Sequence, residues 1–174
     1  MAQNPQENCI FCKIVEGEIP SKKVLEDDDF LAILDINPAL PGHTLILPKN
    51  HYFVTQQMPA DEGGKLGVMI KKVSQKLLKS LDVTGTSVYI ANGGAAGQKV
   101  PHAMAHVIPR KKDDGVGLTP SFNDDFAGKQ QEILSKMKAA INPGAASPQK
   151  PKPKPTQSKQ TDDVDLDKIS RMFD

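Results

Sequence analysis

The sequence predicts an α+β domain, a mainly antiparallel five-stranded sheet with one long amphipathic helix and a C-terminal helix. Two observations carry this. Short runs rich in β-branched and aliphatic residues flank a single long stretch with apolar residues at helical spacing, so the order reads strands, helix, strands. The chain has 174 residues, 38% of them hydrophobic, which suits one core of ordinary size plus additional segments.

The elements follow in order. After the pair Cys9-x-x-Cys12, the runs Lys23–Glu26 and Phe30–Leu34 read as two strands of a hairpin, with Asp27-Asp28-Asp29 as its turn. The stretch from Asp35 to Gly42, with Pro38 and Pro41, breaks the pattern, and His43–Pro48 is a third strand stopped by its proline. From Ala60 to Leu81, Leu66, Met69, Ile70, Val73, Leu77 and Leu78 follow helical spacing with lysines on the other side. Thr86–Ala91 and Val100–Pro109 complete the strands, joined by the flexible, glycine-rich Asn92–Gly97. A weaker helix is expected from about Asp124, near the potential cap Asn123, to Ile141.

These elements divide the chain into a domain over 1–112, a helical extension over 113–141, a linker over 142–163 and a short amphipathic segment over 164–174. The linker is rich in proline and lysine and has almost no apolar residues, so it cannot bury enough surface to fold. The final segment places Leu166, Ile169, Met172 and Phe173 along one side of a short helix. It reads either as a tethered piece that docks on a protein partner or on its own domain, or as a frayed terminus.

Composition excludes several classes of function. Lys and Arg total 22 against 21 Asp and Glu, so the formal charge of +1 lacks the basic excess of a general nucleic-acid binder. The apolar runs are strand-sized, short of the roughly 20 residues that span a bilayer, and the polar start MAQNPQEN has no apolar core of a signal peptide. A soluble, cytoplasmic protein is expected. Two cysteines are too few to staple a secreted fold, which leaves metal binding, redox chemistry or inert buried thiols.

The strongest local signal is His102-Ala-Met104-Ala-His106-Val-Ile-Pro109. On a strand, the period of two sends His102, Met104 and His106 to one face and Ala103, Ala105 and Val107 to the other. Just upstream, the glycines of Asn92 to Gln98 permit close backbone approach to phosphate oxygens, although such a loop by itself is equally a plain connection.

Taken together, these residues resemble the histidine-triad (HIT) family over roughly Cys9 to Arg110. The matching pieces are Cys9 to Ile14, Gly17 to Ser21, Phe30 to Asp35, Gly42 to His51, Asn92 to Gln98 and the terminal strand. Six pieces in the right order are far more specific than any one of them. The resemblance implies a HIT-like fold and a pocket for a purine nucleotide, AMP-like or GMP-like. It places Ile14 and Ile19 at the base, Asp35 at the ribose hydroxyls, and Asn92, Gly97 and Gln98 at the ribose and phosphates. Lys99 replaces the family's common serine and either adds a positive charge at the phosphates or points to solvent. His43 matches a family histidine at the phosphate end, where it also reads as a satisfied core imidazole.

The family strand is His-x-His-x-His, and Met104 occupies its middle position. In the family that histidine attacks the α-phosphate to form a nucleotidyl intermediate. A thioether has no basic nitrogen and cannot repeat this step, and His106, which matches the histidine that orients the nucleophile, loses its client. The catalytic positions are therefore Met104, not competent, with His106 and His43.

The resemblance also implies a structural zinc ion. Cys9 and Cys12 give two thiolates at knuckle spacing, and in relatives with this start the histidines matched by His51 and His102 complete the tetrahedron. A symmetric homodimer built on the long helix and a neighbouring strand is implied as well. Three functions follow: a nucleotide-binding protein with covalent catalysis lost, a HIT-type hydrolase of phosphoramidates, adenylates or dinucleoside polyphosphates working by direct water attack, or a zinc-stabilised interaction scaffold.

Overall fold

Apolar runs at period two and a long stripe at helical period give the chain two kinds of buried surface, and they pack on each other. The computed structural model describes residue 6, residues 8–117 and residues 128–141. Its elements are helix α1 (Ile10–Glu16), strands β1 (Lys23–Glu26), β2 (Phe30–Leu34) and β3 (Thr44–Pro48), helix α2 (Ala60–Ser80), strands β4 (Gly85–Tyr89) and β5 (Ala105–Arg110), and helix α3 (Gln130–Ile141). The expected linker over 142–163 and tail over 164–174 lie outside the described residues, as does the start of the last predicted helix.

The five strands form one sheet in the order β1-β2-β3-β5-β4, with every neighbouring pair antiparallel. The expected hairpin forms because Asp27 Oδ1 accepts the amides of Asp29 (3.1 Å) and Phe30 (2.9 Å), turning the chain within three residues. Strand β3 is buried along its whole length, since both faces of the sheet are covered. One face carries Phe30, Ala32, Ile46, Ala105 and Val107 against Leu66, Met69, Val73 and Leu77 of α2. Each such buried side chain contributes roughly 1.5–3 kcal/mol. Leu78, placed on the apolar stripe by spacing, is 44% exposed, and Ile70 is only partly buried.

The opposite face carries Leu31, Ile33, Leu45 and Leu47, covered by Phe11, Ile14, Val15, Ile19 and Met104. Helix α1 supplies most of that cover, and sequence reasoning did not anticipate it as a helix. Its end is marked by Gly17, whose φ of 85° lets its amide close on Ile14 O. In the turn just before β3, Gly42 holds a φ of 93° that L side chains rarely adopt, and a Cβ there would also approach Leu81 Cδ1 to 2.5 Å, so the position favours glycine.

Two compact units are present, and α3 belongs to the second. That helix shows no buried residue; Ile133, Leu134, Met137 and Ile141 are all exposed. Among the described residues, no helix is long and apolar enough to cross a membrane.

Candidate functional site

Four soft donors converge beside the start of α1. Cys9 precedes that helix, Cys12 lies within it, His51 follows β3, and His102 precedes β5. One ligating atom from each lies within 4.8 Å of every other, so the cluster can hold a metal ion. Cys12 Sγ is 3.1 Å from His51 Nδ1 and 3.7 Å from His102 Nδ1, and Cys9 Sγ is 3.5 Å from His102 Nδ1. These separations suit four ligands around one small tetrahedral ion with bonds of about 2.0–2.3 Å.

The protonation of His102 can be read from its other nitrogen. Its Nε2 sits 3.1 Å from the Pro48 carbonyl, which can only accept, so Nε2 carries the proton and the lone pair of Nδ1 faces the two sulfurs. Burial holds the His102 pKa down to about 4, so the ring stays neutral. Burial, reinforced by the hydrogen bond and charge of Cys9, pushes the Cys12 thiol up to about 12. A redox Cys-x-x-Cys needs an accessible thiol of low pKa, and these two are only 3% and 5% exposed. The donor set therefore fits a metal far better than disulfide exchange, since a bound cation would supply the charge that deprotonates the thiols.

A second cluster joins Asp35, His43 and His106. His106 lies on β5 between Leu45 of β3 and Tyr89 of β4, and His43 Nε2 is 3.0 Å from His106 Nδ1. The Ala39 amide donates to His43 Nδ1 at 3.1 Å, so the proton of a neutral His43 is on Nε2 and is given to His106 Nδ1. His106 is then left with its own proton on Nε2, available as a donor. Asp35 Oδ1 accepts the Asn37 amide at 2.9 Å, and its Oδ2 lies 3.5 Å from His43 Nδ1. Burial lowers the pKa of both imidazoles, with Asp35 partly opposing the shift in each. The pair is thus a directed hydrogen-bond relay, and its inward nitrogens are already committed to each other.

Between the two clusters lies Met104. The predicted strand over Val100–Pro109 begins only at Ala105, because Pro101 sits inside a turn closed by the His102 amide on Val100 O. The alternation holds from Met104 onward: Ala105 and Val107 face α2, while Met104 packs with Ile14 and Ile19 on the other face. His102 lies before the strand, in the cysteine cluster, with its ring packed near Phe11 of α1.

The predicted flexible loop is clamped. Gly93 donates to Gln98 Oε1 (2.7 Å), Gln98 Nε2 donates to Phe53 O (2.6 Å) and Val100 O (3.0 Å), and Asn92 Oδ1 accepts from the amide and hydroxyl of Thr55. Residues Gly94–Ala96 make one turn of 3₁₀ helix between Gly93 and Gly97, both at positive φ. Tyr89, which sequence reasoning passed over, bonds Ala96 O at 2.7 Å and packs its ring near His106. Its signal was its register opposite His106. The Gln98 amide is wholly engaged within the loop, so it shapes the backbone there, whereas Lys99 is exposed on the rim of a cavity of about 310 Å³ lined by Phe53, Gly93 and Gly94. A larger cavity of about 520 Å³, at Leu40, Leu81 and Pro109, contains none of the predicted site residues.

Comparison with known proteins points to one family. A model of the HIT domain matches residues 16–113. An uncharacterized HIT-like protein of Methanocaldococcus jannaschii is 49% identical over 107 residues, covering 62% of this chain and 82% of its own. The adenosine 5′-monophosphoramidase of Candida albicans is 37% identical over 144 residues, covering 78% of this chain and 94% of its own. Among solved structures, a zinc-bound histidine triad family protein from Mycobacterium smegmatis superposes with a TM-score of 0.62 at 30% identity, over 78% of this chain and 99% of its own.

Proposed function

The chain belongs to the HIT family, and from that premise we propose that it is a purine-nucleotide-binding protein whose covalent catalytic step is lost. The observation that carries this reading is Met104 at the middle triad position, set in the apolar cover beside Ile14 and Ile19. A relative of this family is a monophosphoramidase. Here the matching position offers a thioether, which has no lone pair basic enough to attack phosphorus and hold the adduct.

Binding groups are retained around that gap. Ile14 and Ile19 offer an apolar wall to a base, and Asp35 offers carboxylate oxygens to ribose hydroxyls. Asn92, whose NH₂ makes no hydrogen bond among the described residues, and the backbone of Gly97 and Gln98 meet the ribose and phosphate, with Lys99 adding charge at the rim. His106 would donate its Nε2 proton to a phosphate oxygen, held in that tautomer by His43.

The ion in the cysteine cluster is assigned as zinc, on the strength of a Cys₂His₂ donor set and of the zinc-bound relative. With four protein ligands the site is closed, so its role is to pin α1, the end of β3 and the approach to β5 together. A homodimer is supported by exposed apolar side chains on α2 (Val68, Leu78) and on the edge strand β4 (Val88, Tyr89). The segment 164–174, with Leu166, Ile169, Met172 and Phe173 at helical spacing, would serve a protein partner.

Calorimetric titration with AMP and GMP, paired with hydrolysis of a nucleotide phosphoramidate, tests the reading. Wild-type protein should bind without appreciable turnover, and Met104→His should raise turnover by roughly a thousandfold or more. Efficient wild-type turnover would instead favour water attack with His106 or His43 as base, and absence of any nucleotide affinity would favour the scaffold.

A further inference from the structure

Glu62 lies in the first turn of α2, where an acidic side chain is favoured by the helix dipole and is usually solvated. Here it is buried, only 8% exposed. Burying a carboxyl group is costly unless hydrogen bonds replace its water. Its partners are both from one short segment: Asn50 Nδ2 and Tyr52 Oη each donate to Glu62 Oε1 at 3.0 Å. Those two residues flank His51. The Tyr52 carbonyl in turn accepts the Ala103 amide at 2.6 Å, immediately after His102. One carboxyl group on α2 therefore ties down the side chains on either side of one histidine of the cysteine cluster, and the backbone of Tyr52 holds the neighbour of the other.

When Nδ1 of a neutral imidazole gives its lone pair to a metal, Nε2 is left as a donor that usually anchors the ring. His102 has that anchor in Pro48 O, whereas His51 Nε2 is buried with no hydrogen-bond partner among the described residues, so the placement of the His51 ring depends on the segment that carries it.

We propose that Glu62 is a positioning residue of the metal site, which through Oε1 clamps the Asn50 and Tyr52 side chains on either side of His51 and so fixes where that ligand stands. The inference rests on the zinc reading above, and its test separates the two. The full-length protein and its Glu62→Ala and Glu62→Gln variants are compared by zinc affinity in chelator competition, by the ligand-field spectrum of the cobalt-loaded protein, and by melting of the chelated form. Glutamine keeps an oxygen for Asn50 and Tyr52 and alanine keeps none, so glutamine should retain more affinity than alanine.

The expected result is a zinc affinity weakened about 10- to 100-fold in Glu62→Ala, less in Glu62→Gln, with an altered cobalt spectrum in both. Unchanged affinity and spectrum, with only a lower melting temperature of the chelated protein, would make Glu62 a fold residue and overturn the inference while leaving the zinc reading intact. If wild type itself takes up no stoichiometric zinc or cobalt, the zinc reading fails and this inference fails with it. Tyr52→Phe removes a single hydrogen bond without loss of bulk and supplies a measurable variant even where Glu62→Ala does not fold; unchanged affinity there counts against the clamp.

Discussion

The Cys9–Cys12–His51–His102 cluster and the Asp35–His43–His106 cluster use the same imidazole side chain in opposite ways. In the first, a backbone carbonyl takes the outer proton of His102 and turns a lone pair inward; in the second, a backbone amide takes the outer lone pair of His43 and turns a proton inward. A ring with its lone pair inward can ligate a cation. A ring with its proton inward can only build a relay. In each cluster one ring is oriented by a single main-chain group behind it, Pro48 O for His102 and the Ala39 N–H for His43.

The largest expected effect comes from removing the ion. Chelation, or His51→Ala, should lower stability toward denaturant by on the order of 4 kcal/mol, the linkage expected when free ion stands about a thousandfold above its dissociation constant. His43→Ala should leave metal content at about one ion per chain by metal analysis. If His43→Ala loses the ion or His51→Ala keeps it, the distinction between the clusters collapses.

Acid should affect the relay next. His43 and His106 have folded-state pKa values below the ordinary 6.5, so the unfolded chain binds more protons in that window. Their contribution to stability is present above pH 6.5 and is lost as pH falls through the lowered folded values. Melting of the chelated protein across this range should therefore drop with acidification, and a flat profile would contradict the buried, neutral pair. The smallest effect is that of Asp35→Asn. Its side-chain oxygen can still accept the Asn37 amide, but the charge that raises both imidazole pKa values is gone, so both should titrate at lower pH by NMR.

Much of this was legible from residues alone, for identifiable reasons. Strand β3 announced itself because Leu-Ile-Leu closed by Pro48 has no helical alternative, and α2 because Leu66, Met69, Val73 and Leu77 repeat at one period. Helix α1 was missed because its seven residues carry no capping side chain at Cys9, and only Gly17 marks its end. His102 was placed on a strand because alternation through Met104 to His106 is regular; the structure bends the chain at Pro101 instead. Glu62 gave no signal, since an acidic residue in a first helical turn is ordinary until its burial and its two partners are seen.

By itself the sequence determined the α+β class, the family, the four side chains that could hold a metal ion, and the absence of an imidazole at Met104. Those are matters of residue type and spacing, which the chain carries at every stage of folding. Only the tertiary structure decided which ring nitrogen faces which cluster, that the Asn92–Gln98 loop is clamped, and that a buried carboxyl group on α2 takes the side chains on either side of His51. Those depend on hydrogen bonds across sequence separations of up to 54 residues, and such partners are chosen only when the sheet and its covering helices close.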